Sequence, residues 1–142
     1  MQVTNVIGSI GLLILRVSFG LMMLIGHGWP KLAGFGEMAD GFPDPLGMGG
    51  RLSMMAAIGA EVGCSILLVL GLGTRLAALP LAFTMVVALV MIHGSDPWQT
   101  RELAAVYLTV YATLFLTGGG IFSLDRLIWS RKKKSTIAAP AE

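Results

Sequence analysis

Charge is what this sequence has least of. Only 13% of its 142 residues are Asp, Glu, Lys or Arg, about half the share usual in a soluble domain. So few charges cannot cover a water-exposed surface of this size, and lipid must solvate much of it. Cysteine is nearly absent too. Cys64 stands alone, which excludes a disulfide within the chain and a dithiol mechanism of the Cys-x-x-Cys type. Residues 1–6 hold no Lys or Arg, and Arg16 interrupts the first apolar run, so cleavage as a signal peptide is not expected. Basic residues cluster only at Arg131-Lys132-Lys133-Lys134. With no second basic patch and no interleaved aromatics, nucleic acid is dismissed as a partner.

What the chain has instead is apolar length: 55% of its residues are hydrophobic and the mean hydropathy is +0.79. Four apolar stretches, at about 6–26, 52–72, 76–93 and 103–117, approach the roughly 20 residues a helix needs to cross a bilayer. The expected fold is all-α, an integral membrane bundle of four transmembrane helices over residues 1–130, followed by a basic cytoplasmic tail at 131–142. Gly73-Thr74-Arg75 reads as a tight turn that makes spans two and three antiparallel neighbours. Residues 29–50, with the turn signals of Pro43-Asp44-Pro45, form the only long connection. Trp98 is expected at the headgroup level. Gly118-Gly119-Gly120 should end the fourth helix, and Ser123 can cap a short amphipathic piece ending in Trp129 along the inner interface. Lys and Arg are more numerous on the side of the termini, so the positive-inside rule puts both termini in the cytoplasm of an inner or plasma membrane.

Arg16 and Glu61 are the anomalies. Each falls near the middle of a span, where a charge costs about 2.5–3.5 kcal/mol on insertion scales. Arg16 lies eleven residues below His27 and Glu61 ten below Arg51, depths of roughly 16 and 15 Å at 1.5 Å per residue. Equal depth on adjacent antiparallel helices predicts that they pair. Arg16, Gly20, Met23 and His27 share one helix face by spacing, and Lys31 extends it if the helix continues through Pro30. On span two, Ala57, Glu61 and Ser65 line one face, while Gly59 and Gly63 suggest a close helix contact on another. Tyr107 and Tyr111 lie one turn apart on span four. They either face the bundle interior or anchor the interface. Thr109, Thr113 and Thr117 line another face, where their hydroxyls can bond back to the backbone. His27 and His93 fall at the same end. The first reading is of plain hydrogen-bonding groups at the headgroup level; imidazole also titrates near neutral pH and suits proton transfer, whereas nothing fixes a metal-ligand spacing.

Several segments, in order and spacing, resemble the DoxX family of small four-span membrane proteins. They are Arg16-Val17 with Gly20, His27-Gly28-Trp29-Pro30-Lys31-Leu32, Phe42-Pro43-Asp44-Pro45-Leu46-Gly47, Ala60-Glu61-Val62-Gly63-Cys64 and Leu70-Gly71-Leu72-Gly73-Thr74-Arg75. His93, Glu102-Leu103-Ala104, Gly118-Gly119-Gly120 and Ser123-Leu124-Asp125 complete the match, which runs from about Leu12 to Asp125. That family is similar to the DoxD subunit of thiosulfate:quinone oxidoreductase, and its members are commonly described as oxidoreductases.

The resemblance implies a quinone-linked oxidoreductase subunit that works with a partner redox enzyme. On that reading Glu61, His27 and His93 handle protons, and Arg16, Glu61, Lys31, Tyr107 and Tyr111 hold the quinone. Quinone is the one cofactor implied; no metal, haem or flavin pattern is indicated. The alternative is a non-catalytic membrane module that binds or stabilises a partner complex or a hydrophobic small molecule. Expected partners are the lipid bilayer, a redox protein and further copies of the chain as a homo-oligomer.

Overall fold

The computed structural model describes residues 2–128, and among these there is no β-strand. Helix α1 begins as Gln2–Met23, passes through a π-turn at Leu24–Gly28 and continues over Trp29–Ala33. Pro30 falls in the first turn after the π-segment, where its missing N–H costs little. One helical turn at Phe35–Met38 and a 3₁₀ turn at Ala39–Gly41 open the long connection. Helix α2 spans Gly50–Leu70 with a π-turn at Gly59–Cys64. Helix α3 spans Thr74–Ile92 and ends in a π-turn at Ala88–Ile92. Helix α4 spans Trp98–Thr117, and a last helical turn follows at 124–128. Trp129 and the tail at 131–142 lie outside the described residues.

The helices form an all-α membrane bundle. Three of them, Val6–Ala33, Gly50–Leu70 and Thr74–Ile92, are long and apolar enough to cross a bilayer. Helix α4 is 20 residues long, but Arg101, Glu102 and its threonines dilute it. The core is narrow: Met23, Leu68, Ala77, Ala78, Leu81, Tyr107, Tyr111 and Leu114 are its most enclosed members. The outer surface is the apolar one. Ile7, Ile14, Ile25, Leu76, Val90 and Leu116 each leave more than 60% of their surface exposed, a distribution that water does not tolerate over such an area and lipid does.

The bundle has two ends of different character. At the turn end, buried helix termini are matched with side chains. Helix α2 closes in a Schellman motif, with Gly71 at φ +70°, the Leu72 N–H donating to Leu67 O (2.9 Å) and the Gly71 N–H to Leu68 O (3.1 Å). Arg16 Nη1 donates to the same terminus, at Leu68 O (3.2 Å) and Val69 O (3.0 Å), and its Nη2 donates to Phe122 O in the segment after α4 (2.6 Å). Arg75 Nη2 donates to Leu116 O at the end of α4 (3.0 Å). Asp125 accepts from the Gly73 and Thr74 N–H groups at the start of α3 (2.7 and 3.0 Å). Cations thus sit on two helix C-termini and an anion on one N-terminus, as the helix dipole favours. Ser123 Oγ accepts from the Arg126 N–H (3.3 Å) and caps the turn at 124–128.

The other end is roofed by the long connection. Asp44 organises it, accepting from the Met48 N–H (2.9 Å), the Gly49 N–H (2.7 Å) and the Ser53 hydroxyl (2.6 Å). The Ser53 hydroxyl, and behind it the Gly49 N–H, hold the Asp44 carboxyl below the ordinary carboxylate range.

Candidate functional site

Arg16 and Glu61 do not pair. Arg16 is held by the carbonyls of the turn end, with Asp125 within its electrostatic reach. Glu61 Oε2 instead meets Lys31 Nζ at 2.6 Å. The equal-depth expectation fails because α1 does not leave the bundle at His27. It runs on through Ala33, so Gly28 rather than a residue half a span deeper stands level with Glu61. A Cβ on Gly28 would fall 2.9 Å from the Glu61 carbonyl carbon and oxygen, and the absence of one lets α1 and α2 touch there. Gly20 does the same lower down against Ser65 and Val69. Gly59 and Gly63, expected to make the close contact, face open space.

Between the four helices at the loop end lies a cavity of about 370 Å³, within the ~300–1,000 Å³ typical of small-molecule sites. Its polar wall is His27 and Lys31 from α1, Glu61 from α2, and His93 at the end of α3; Tyr107 of α4 forms part of the opposite wall. The rest is apolar or small: Ala56 and Ala57 from α2, Phe83, Thr84 and Ala88 from α3, Leu103 and Ala104 from α4, and a roof of Phe42, Pro45, Leu46 and Met48. The Glu61 side chain is 6% exposed and that of Lys31 22%, so the ion pair is largely shielded from solvent. The His27 ring stands edge-on to Tyr107, centroids 5.7 Å apart, and has no hydrogen-bond partner among the described residues. His93 is occupied, with Nδ1 2.7 Å from Asp96 Oδ2.

Five residues singled out from sequence therefore share one cavity: His27, Lys31, Glu61, His93 and Tyr107. Arg16 and Tyr111 do not reach it. Tyr111 is fully buried below, its ring 5.8 Å from that of Tyr107 and its hydroxyl without a partner among the described residues. Thr109, Thr113 and Thr117 bond back to the carbonyls four residues earlier, as expected of hydroxyls on a lipid-facing helix side. Sequence reasoning missed Ser53, Phe83, Thr84 and the roof. The runs Ala56-Ala57 and Phe42-Pro43-Asp44-Pro45 were the available signals, the first for missing side-chain volume and the second for a rigid loop.

The arrangement offers fixed donors, an ammonium and an imidazole, beside a carboxylate in a mostly apolar slot. That suits a planar, weakly polar head bearing acceptor oxygens. The sequence profile of the DoxX family matches residues 11–94, which include α1 from residue 11 on, all of α2 and α3, and every cavity residue except those of α4. The chain is 35% identical over 132 residues to "Inner membrane protein YphA" of Escherichia coli (strain K12), covering 81% of this chain and 88% of that protein. It is 32% identical over 135 residues to an uncharacterized protein of Haemophilus influenzae (strain Rd), covering 86% of each. It is also 29% identical over 134 residues to "Putative oxidoreductase CatD" of Bacillus subtilis (strain 168), covering 92% of this chain and 96% of that protein. No solved structure matches the chain significantly. The profile match takes in more than half of the sequence, including the tight turn and the ion-paired α1–α2 wall, and by it this chain belongs to the DoxX family.

Proposed function

We propose that this DoxX protein is the membrane subunit of a quinone-linked oxidoreductase, holding a quinone head in the loop-end cavity while a partner redox protein exchanges electrons with it. One observation carries the reading: a shielded Lys31–Glu61 ion pair beside the His27 ring, which makes no hydrogen bond among the described residues, all facing a cavity lined mostly by apolar and small side chains. A bound quinone supplies two-electron, two-proton chemistry. Lys31 Nζ and a His27 ring N–H would donate to its carbonyl oxygens, which favours the charge that develops there on reduction. Glu61, next to both, would be the carboxylate that holds or hands on a proton, and Tyr107 and Phe42 would line the slot for the ring. The roof keeps bulk water from the head. The name of the Bacillus subtilis relative supports an oxidoreductase role.

In this reading α4 is a fourth crossing and the protein sits in the inner or plasma membrane with both termini cytoplasmic, as the excess of basic residues at the turn end suggests. A second reading, a non-catalytic module for a partner complex or hydrophobic molecule, draws on the fact that the Lys31–Glu61 pair is complete without any ligand. Quinone extraction separates the two. Protein purified in mild detergent should yield near-stoichiometric quinone by mass spectrometry, and folded Lys31→Met and Glu61→Gln variants should yield at least tenfold less. A wild type carrying no more quinone than its residual lipid accounts for would retire the redox reading in favour of the module.

A further inference from the structure

The cavity does not end inside the bundle. Antiparallel descent from the turn at Gly71–Gly73 sets Ala56 and Ala57 of α2 level with Ala88 and Val87 of α3, and Glu61 level with Phe83. All of these line the cavity. Yet Phe83 is 55% exposed, more of its surface than an enclosed cavity of this size would leave open, and Ala56 is exposed as well. Phe83 lies ten residues before His93, about 15 Å along the helix and well inside the apolar span. A side chain at that depth can belong both to an internal cavity and to the lipid-facing surface only where the seam between two helices is open. The composition of the seam is consistent with the opening: Ala56, Ala57 and Ala88 supply little side-chain volume to close it.

From this we infer that the cavity's ligand is a tailed amphiphile drawn from the bilayer, with its head at Lys31 and Glu61 and its hydrocarbon tail leaving through the α2–α3 seam over Phe83. The inference rests on reading the loop-end cavity as the ligand site, but not on the head being a quinone. A tail in the seam stays in hydrocarbon along its whole length and costs no desolvation, while a head drawn inward exchanges interfacial water for the ion pair and His27. A water-soluble, tail-less substrate would gain nothing from an opening at this depth.

Photo-capture in native membranes tests it. A diazirine-bearing leucine analogue is placed at Val87, in the seam, and separately at Val86, which is 42% exposed and does not line the cavity; adducts are identified by mass spectrometry after irradiation. The expected result is one dominant long-chain species at position 87 that is absent from the mixed phospholipid adducts at position 86. Its yield should fall at least tenfold when the seam is filled by Ala88→Trp or by the milder Ala56→Leu. A quinone head on that species upholds both readings; a different head upholds the seam and ends the quinone proposal. Adducts at position 87 that match those at 86, or that join only α3 to α2, would overturn the inference, as would yields unmoved by both fillings.

Discussion

Two double-mutant cycles sharing Glu61 distinguish the observed charge arrangement from the one that equal depth suggested. Arg16→Leu removes three hydrogen bonds from a cation to carbonyls, at 3.2, 3.0 and 2.6 Å. Each is worth about 1.5–3 kcal/mol; because they share one side chain they do not add, and a total loss of about 3–5 kcal/mol is expected. Leu68 and Val69 lie seven and eight residues beyond Glu61, about 10–12 Å along α2. Glu61→Leu should therefore add its own cost to that of Arg16→Leu to within ~0.5 kcal/mol. The Lys31→Met and Glu61→Leu cycle should behave differently. Removing Lys31 alone leaves a carboxylate only 6% exposed without its partner at 2.6 Å, at a cost of about 3 kcal/mol, and removing both should recover about 2 kcal/mol or more of that. Reversible unfolding in mixed micelles of mild detergent and dodecyl sulfate reads the wild type and the five variants on one scale. A coupling above ~1 kcal/mol between positions 16 and 61, with none between 31 and 61, would refute the assignment of partners.

Gly71→Ala should destabilise the protein by about 2 kcal/mol or more in the same assay, because φ is +70° and the added Cβ would fall on the Arg16 guanidinium; an unchanged midpoint would mean that Arg16 does not occupy the turn. The Asp44 carboxyl is held below its ordinary value, so its ties to the loop are complete above about pH 4 and are lost as pH falls through the lowered value. Exchange of the Met48 and Gly49 amide hydrogens, corrected for intrinsic rates, should stay flat from pH 8 to 5 and accelerate only in stronger acid, and Asp44→Ala should make it fast throughout. In a Cys64→Ser background, Gly36→Cys should react with an impermeant thiol reagent from outside intact cells. Labelling only after lysis would invert the orientation and place the cavity at the cytoplasmic face.

Much of the fold was legible because lipid imposes a coarse code. Long apolar runs, a glycine turn at 73 and a triple glycine at 118 mark the helices and their ends without tertiary information, and the observed boundaries of α2, α3 and the end of α4 fall within a few residues of those expected. Helix α4 begins five residues before the apolar stretch at 103–117, because Arg101 and Glu102 make its first turn amphipathic rather than apolar. The pairing of the buried charges was not legible. Which residue is level with which depends on where α1 ends, and Trp29-Pro30 reads as an end when it is the first turn after an irregularity. Asp125 was equally hidden: its role at the start of α3 comes from a contact across 51 and 52 positions of sequence, which no local pattern reports.

The irregularity itself accounts for the remaining difference. One extra residue in a helix rotates everything beyond it by about 100°. On α1 the inward positions run Arg16, Gly20 and Met23, and then Gly28, with His27 only half-buried. The π-turn at Leu24–Gly28 has moved the inward position one residue onward, against the regular spacing that put His27 there. The result is that a glycine, not an imidazole, meets α2, and His27 is turned toward Tyr107 and the cavity. Glu61 lies within the π-turn of α2, and that of α3 ends beside His93. Three helices thus carry the same defect beside the cavity, near the loop-side ends of α1 and α3 and midway along α2, each next to a polar cavity residue, while α4 has none and presents Tyr107 from regular helix. A π-turn is less stable than the α-helix it interrupts and recurs mainly where function requires it. The turn end, where Arg16, Arg75 and Asp125 match three helix termini, is where regular packing holds the bundle together, and it leaves the loop end free to carry these defects. Outside the Lys31–Glu61 ion pair, substitutions in the cavity should therefore alter ligand occupancy far more than they alter unfolding.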